Sequence, residues 1–407
     1  MRLLVFNAGS SSLKFDLLEV PAKEPARRQF SGAFDAATDG SGLFTPRFVA
    51  AGNQPFGPVR SLSEAASVVL DWLGDASLHG RDVLADLNAT VHRIVHGGEM
   101  FRGTTLLGEA ELAKLSELSM LAPLHNPPAL AVIAAVRGKS GPQHPVIGVF
   151  DTAYYADLPE AAYRYAVPAR WYREFQVRRY GFHGTAHRYL CEMACRRLQR
   201  PPDATRVLSL QLGRGCSVTA TLGGRAVATS MGFTPLEGLV MGTRSGDVDP
   251  GAVLYVMARA GLSAAQIGRE LNQESGLLGL SGRTADMREL LALEQSGDRD
   301  ALLAVESFCR RARHYVAAYI AELGGVDVIA FGGGIGENCP EIRRRILHGL
   351  QWAGIELDAA ANSSAVGLEA SINAASSRAA IHVIPVDEAS VIASEAASLL
   401  SRETPRR

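Results

Sequence analysis

Three stretches of this chain place small residues directly after apolar runs, where backbone N–H groups can approach an anion. The first is Asn7-Ala8-Gly9-Ser10-Ser11-Ser12-Leu13-Lys14, set between Leu3-Leu4-Val5-Phe6 and Phe15-Asp16-Leu17-Leu18. That order reads as strand, tight polar turn, strand. Gly and Ser give the turn little bulk, three hydroxyls add hydrogen bonds, and Lys14 supplies a point charge. Asn7 offers an amide oxygen, a hard ligand suited to Mg²⁺ or its waters. The plain alternative is a Ser-rich hairpin with a solvated Lys. The second stretch, residues 206–222, repeats the plan, with Gln211-Leu212-Gly213-Arg214-Gly215-Cys216-Ser217 at its turn. The third, Gly332-Gly333-Gly334-Ile335-Gly336-Glu337-Asn338, follows an apolar run at 326–331. Two such turns suffice to hold phosphates from opposite sides, and a third can sit under a base or ribose.

A rival chemistry is metal binding at His183, His187, Cys191 and Cys195, which recur every four residues. On a helix that stripe extends ~18 Å at 1.5 Å per residue, too far for one tetrahedral ion. Buried small residues are the default reading. The pair His92 and His96 lacks the glutamate of a zinc-protease motif.

The elements that must position these residues alternate between strand and helix. Residues 21–60 read as strands and loops. Helical spacing marks 63–73, with Ser61 or Ser63 as N-cap, then 109–121, and 129–136 opened by Pro127-Pro128. Residues 90–95 and 146–150 read as strands, and long helical patterns cover 300–323 and 388–400. The repeated strand-turn-strand indicates two related α/β halves.

With 407 residues, two domains are expected. Apolar residues are 47% and charged residues 20%, enough to build an ordinary core. A net charge of -1 and 7% aromatics argue against nucleic-acid binding. Five irregularly spaced Cys suggest no disulfide framework, and hence a reducing, cytoplasmic setting. The chain starts in a strand with no signal-like segment, and no apolar run reaches membrane-spanning length.

Seven segments together resemble the acetate kinase family, in that family's order and over nearly the whole chain. They are Asn7 to Ser12 with Lys14, His92-Arg93-Ile94-Val95-His96-Gly97-Gly98, Phe150-Asp151-Thr152-Ala153, Tyr180-Gly181-Phe182-His183-Gly184, residues 230–238, residues 242–250, and Gly333 to Asn338. The resemblance implies two duplicated RNase H-like (actin-like ATPase) α/β domains with the active site in the cleft between them. It places residues 1–150 plus about 386–407 in the first domain and 151–385 in the second. It implies a cytoplasmic homodimer that transfers the γ-phosphate of ATP to acetate, reversibly, giving acetyl phosphate and ADP with Mg²⁺ (or Mn²⁺).

Acetate is already ionised at neutral pH, so its oxygen can attack phosphorus without a general base, and the barrier is mainly charge repulsion and positioning. By resemblance, Arg93 and Arg244 serve the carboxylate and the transferring group, His183 donates to the equatorial oxygens, and Asp151 orients the metal through water. Asn7 and Glu388 match the metal site. His125, Val95, Leu124, Phe182 and Pro235 match the acyl side. Lys14, Ser10, Ser12, Gln211, Leu212, Gly213, Arg214, Gly215, Asp286, Met287, Arg288, Gly334, Ile335, Gly336, Glu337 and Asn338 match the ATP side.

The chain departs from the family chiefly at the second turn, where the family usually carries His and Asn and this chain has Gln211 and Arg214. Gln211 still donates hydrogen bonds but cannot be charged, whereas Arg214 adds a cation and bulk. Altered phosphate-donor use is the expectation. The alternatives are a kinase for propionate or another short-chain acid, or a nucleotide-binding regulator.

Overall fold

The structure is a computed structural model. It describes all residues except 10, 22–25, 38–40, 49–55, 76–81, 124 and 404–407, so Ser10 and Leu124 lie outside the described residues. The chain divides into two compact units, Met1–Tyr154 with Asp387–Arg407, and Tyr155–Val386.

The first unit is built on strands β1 (Arg2–Ala8), β2 (Ser12–Glu19), β3 (Arg27–Ala36), β4 (Phe44–Phe48), β5 (Ala89–Ile94), β6 (Thr105–Leu106) and β7 (Val146–Phe150). They form one sheet in the order β4-β3-β2-β1-β5-β7-β6. The pairs β1–β5 and β5–β7 are parallel, and the remaining pairs are antiparallel. Side chains of β1 alternate between faces, as a period of two requires. Leu4 and Phe6 join the core under helices Leu62–Gly74 and Asn126–Ser140, whereas Leu3 and Val5 meet Ile392, Ala393 and Ala396 of the C-terminal helix. The last helix, Glu388–Glu403, therefore completes the first unit. Ser61 caps the helix at Leu62, its Oγ accepting from Glu64 N at 3.1 Å.

The second unit carries β8 (Arg206–Leu212), β9 (Cys216–Leu222), β10 (Arg225–Thr229), β11 (Val328–Gly332), β12 (Ala370–Ser371) and β13 (Ala380–Val383). Their order is β10-β9-β8-β11-β13-β12. This reproduces β3-β2-β1-β5-β7-β6 strand for strand, including the parallel centre and the antiparallel edge. Helix Gly184–Leu198 lays Leu190, Cys191, Ala194 and Cys195 on Val207, Val328 and Ala330. Helix Arg299–Glu322 packs on β8 and β9.

The repeat gives the two turns equivalent settings. In the first unit Asn7 lies in register with Lys14 on one side and Arg93 on the other. In the second, Gln211 lies in register with Ser217 and Gly332. Side chains in register across neighbouring strands share a face. Lys14, Asn7 and Arg93 therefore form a row at the C-terminal end of β1.

Candidate active site

In the first unit the row ends in an ion-pair network. Arg93 Nε and Nη2 bond the two oxygens of Asp151 at 3.1 and 2.5 Å, and Nη1 bonds Asn7 Oδ1 at 3.0 Å. Glu388 Oε2 accepts from Asn7 Nδ2 at 3.3 Å and lies 3.9 Å from Arg93 Nε. Asp151 is fully buried, and the Arg93 side chain is only 15% exposed. Burial opposes the charge on Arg93, but the carboxylates of Asp151 and Glu388 more than offset it, and its pKa rises.

Both oxygens of Asp151 accept from the guanidinium fork, so Asp151 also fixes the orientation of Arg93. Asn7 gives its oxygen to Arg93 and its amide nitrogen to Glu388, so Glu388, with a quarter of its side chain exposed, is the open hard oxygen donor of this pair, and a metal would need the Asn7 amide to turn. Among the described residues no three His, Cys, Asp or Glu side chains group as a metal-ligand set.

The loop after β5 is fixed by Asn126. Its Oδ1 accepts from His96 N at 3.2 Å and its Nδ2 donates to His96 O at 2.9 Å. Thr152 Oγ1 also accepts from Gly97 N at 2.9 Å. Val95 is thereby held in a buried position, and His125 occupies the N-cap position of helix Asn126–Ser140. Burial, with nearby His125 adding to it, lowers the pKa of His96 to about 3. At the first turn Gly9 N bonds Ser12 O at 2.8 Å, and the Lys14 side chain is exposed.

In the second unit the central residue is Arg244. Its Nη1 donates to Pro235 O at 2.8 Å and touches Met241 Sδ at 3.6 Å. Among the described residues it has no carboxylate partner, and burial lowers its pKa. A half-buried guanidinium without a counter-charge is partly desolvated, and an arriving anion would neutralise it. A Cβ placed on Gly215 would stand 3.2 Å from His183 Nε2 and 3.5 Å from Arg244 Nη2. His183 and Arg244 thus converge on the second glycine turn. His183 has a left-handed backbone (φ 58) at the head of its helix, and its Nδ1 is 2.8 Å from Ser217 Oγ.

The loop carrying Arg244 is itself braced. Asp247 accepts from Gly238 N at 2.9 Å and from Tyr315 Oη at 2.8 Å. The preceding loop, with Pro235, is held by Glu237, which bonds Tyr165 and Arg179. Phe182 is buried, and its carbonyl accepts from Tyr155 Oη at 2.8 Å.

The third glycine stretch is a short helix, Gly333–Asn338, rather than an open turn. Gly333 enters it at φ +77, where a Cβ would strike Leu212 O at 2.6 Å. Glu337 Oε1 accepts from Gly333 N at 2.8 Å and Val386 N at 3.1 Å, so that carboxylate works on its own backbone. Asn338 Nδ2 donates to Gly334 O at 2.9 Å. Buried Arg343 ties down the far end by donating to Gly336 O at 2.7 Å and Glu337 O at 3.1 Å. Gly334 is exposed, and a Cβ on Gly213 of the second turn would stand 3.9 Å from Gly334 N.

Gln211 lies in register with Gly332, with its Oε1 buried and without a hydrogen-bond partner among the described residues. Leu212 is in the core, and Arg214 projects into solvent from the turn. Asp286 caps helix Met287–Gln295 and pairs with Arg288 at 2.8 Å, which lowers its pKa to about 2. Both ring nitrogens of His187 lie against serine hydroxyls, and all five cysteines are free thiols.

Sequence reasoning missed Asn126, Tyr165, Glu237, Arg343, and the serines around His183. Only the buried polar types within otherwise apolar segments hint at them.

The family model described as the acetokinase family matches residues 2–394. The chain belongs to the acetokinase family. A relative from Solibacter usitatus, named acetate kinase, is 42% identical, with 97% of each chain covered. The crystal structure of acetate kinase from Porphyromonas gingivalis superposes with a TM-score of 0.89 at 37% identity, covering 98% of this chain and 99% of that one. A propionate kinase from Francisella tularensis reaches 0.84 at 35% identity, covering 97% and 98%. As an acetokinase-family member the chain is a phosphotransferase enzyme, and its two sheets are the duplicated domains of that fold.

Proposed function

We propose that this enzyme transfers the γ-phosphoryl group of ATP to acetate, giving acetyl phosphate and ADP, and that it catalyses the reverse reaction. The observation that carries the reading is Arg244. It is a half-buried guanidinium with no carboxylate partner among the described residues, and it shares with His183 a position beside a glycine turn. That arrangement suits a planar phosphoryl group in flight, whose negative charge is spread over three equatorial oxygens.

The acetate oxygen attacks phosphorus directly, and no residue need remove a proton. Arg244 neutralises charge on the equatorial oxygens, and His183 donates to one of them. Arg93 receives the acetate carboxylate, with Asp151 holding its fork in one orientation. Val95, Leu124, Phe182, Pro235 and His125 serve the acyl group of the substrate. Backbone N–H groups of the turns at Gly9–Ser12, Gly213–Gly215 and Gly334–Ile335 receive the nucleotide, assisted by Lys14 and Ser10. Gln211 has an unused buried oxygen and Arg214 an exposed cation, and these two set the preference among phosphate donors. Asp286, Met287 and Arg288 contact the adenosine side, with Gly336, Glu337 and Asn338 shaping the helix beneath it.

Asn7 and Glu388 would hold Mg²⁺ or Mn²⁺, which supplies charge compensation on the phosphate chain when bound. The enzyme works in the cytoplasm as a homodimer. The support for the dimer is helix Pro250–Ala260, which has no buried residue and leaves Leu254 66% and Tyr255 65% exposed. No helix among the described residues is long and apolar enough to cross a membrane.

The test is a hydroxylamine trap for acetyl phosphate with ATP, Mg²⁺ and acetate or propionate as acceptor. Acetate is expected to give the higher kcat/KM. A preference for propionate would replace the acceptor, and no product from either acid at high enzyme concentration would refute phosphotransfer.

A further inference from the structure

Behind His183 runs a buried chain of hydrogen-bonding side chains. Ser217 Oγ stands 2.8 Å from His183 Nδ1 and 2.7 Å from His187 Nε2. His187 Nδ1 stands 2.7 Å from Ser209 Oγ, which in turn lies 3.4 Å from Thr219 O. Ser209, Ser217 and His187 are each 0% exposed.

A hydroxyl has one proton to donate, and a neutral imidazole has one N–H and one acceptor nitrogen. The chain must therefore point one way along its whole length. If Ser209 donates to Thr219 O, His187 donates from Nδ1, Ser217 donates to His187, and His183 carries its proton on Nδ1. If Ser209 donates to His187 Nδ1, His187 donates from Nε2 to Ser217, and Ser217 donates to His183 Nδ1. The hydrogens are assigned here from heavy-atom distances. A 2.7 Å contact is a strong O–H donor distance, whereas 3.4 Å is a poor one. The second direction is the one the distances select.

We propose that Ser209, His187 and Ser217 are positioning residues that hold His183 as the neutral Nε2–H tautomer. The Nε2–H then borders the same space beside Gly215 that Arg244 Nη2 borders. A neutral donor there adds a hydrogen bond without adding a second cation next to a half-buried guanidinium that has no carboxylate partner among the described residues. It is also ready before substrate arrives, so no proton has to be taken up for each turnover. This rests on the role given to His183 above.

The experiment is ring ¹⁵N NMR of the full chain labelled at histidine, with His183 assigned by its substitution, alongside steady-state kinetics. Wild-type His183 is expected to be neutral and protonated at Nε2 at pH 7. Ser217→Ala removes the donor to Nδ1 and should shift His183 toward the other tautomer. It should lower kcat about 10- to 100-fold with the KM for ATP and for acetate within about three-fold. Ser209→Ala, remote from the reacting atoms, should shift the tautomer in the same sense, whereas His187→Gln keeps a donor toward Ser217 and should retain more kcat than His187→Leu. A wild-type His183 protonated at Nδ1, or doubly protonated, overturns the proposal whether or not any variant folds. So does a tautomer unchanged in both serine variants. Full activity in His183→Ala would instead refute the part given to His183 in catalysis and leave the tautomer control standing.

Discussion

Arg244 and Arg93 are the same residue type in opposite electrostatic settings, and they should respond differently to substitution. Arg244 has no carboxylate partner, so Arg244→Ala removes a desolvated cation that the free protein does not need. Its stability should hold or rise while kcat falls. Arg93 balances buried Asp151, so Arg93→Ala strands a carboxylate and should cost about 3–5 kcal/mol in urea unfolding. Arg93→Ala combined with Asp151→Asn should recover part of that loss. If the single and double variants unfold alike, the pair does not carry the energy assigned to it. Both arginines were visible in the sequence through the motifs around them. The pairing of Arg93 with Asp151 was not, although both residues were named, since Asp151 lies 58 residues from Arg93 and the bond exists only because β5 and β7 are neighbours. The serines around His183 were hidden for the same reason, because a Ser in a strand declares nothing about the ring across from it.

At the scale of elements, the third glycine stretch shows how tertiary contacts override local preference. Four glycines in five residues read as a turn, yet Glu337, Asn338 and Arg343 bind enough of its backbone to make it helical. Gly333→Ala places a Cβ against Leu212 O at positive φ and should destabilise the second unit by more than about 1 kcal/mol. Gly103→Ala has open space at its Cβ and should be near neutral, which makes it the control for differential scanning calorimetry. Strand β5 and its following loop bury two histidines as neutral rings. Burial, reinforced by His144, lowers the pKa of His92 to about 3, and burial with His125 does the same for His96. Their unfolded forms take up a proton near pH 6.5, so the unfolded state binds more protons between about pH 6.5 and pH 3. Stability should fall as pH drops through that window, by about 1.4 kcal/mol per unit for each ring well inside it. His92→Leu should flatten the decline between pH 7 and pH 5 in urea titrations. An unchanged slope would mean that His92 is protonated in the folded protein.

Across the whole molecule, the duplication was legible because both halves write it the same way, as apolar strand, small turn and returning strand. The strand order confirms it down to the matched register of Asn7 and Gln211. Less legible was the second unit's exposed apolar helix, because its composition reads like a core helix and only the fold shows that none of its residues is buried. If a second copy covers it, Leu254→Glu with Tyr255→Glu should convert the dimer to a monomer in light scattering. A wild-type monomer at micromolar concentration would rule that out.

The most direct measurement of the central claim is acetyl phosphate formation from ATP, Mg²⁺ and acetate by the wild-type chain and by Arg244→Ala, each shown to be folded. The wild type should turn over, and the variant should lose about 10²–10³-fold in kcat, the scale set by removing one preorganised charge-stabilising group. A wild type that forms no acetyl phosphate, or an Arg244→Ala variant that matches it, would contradict the account.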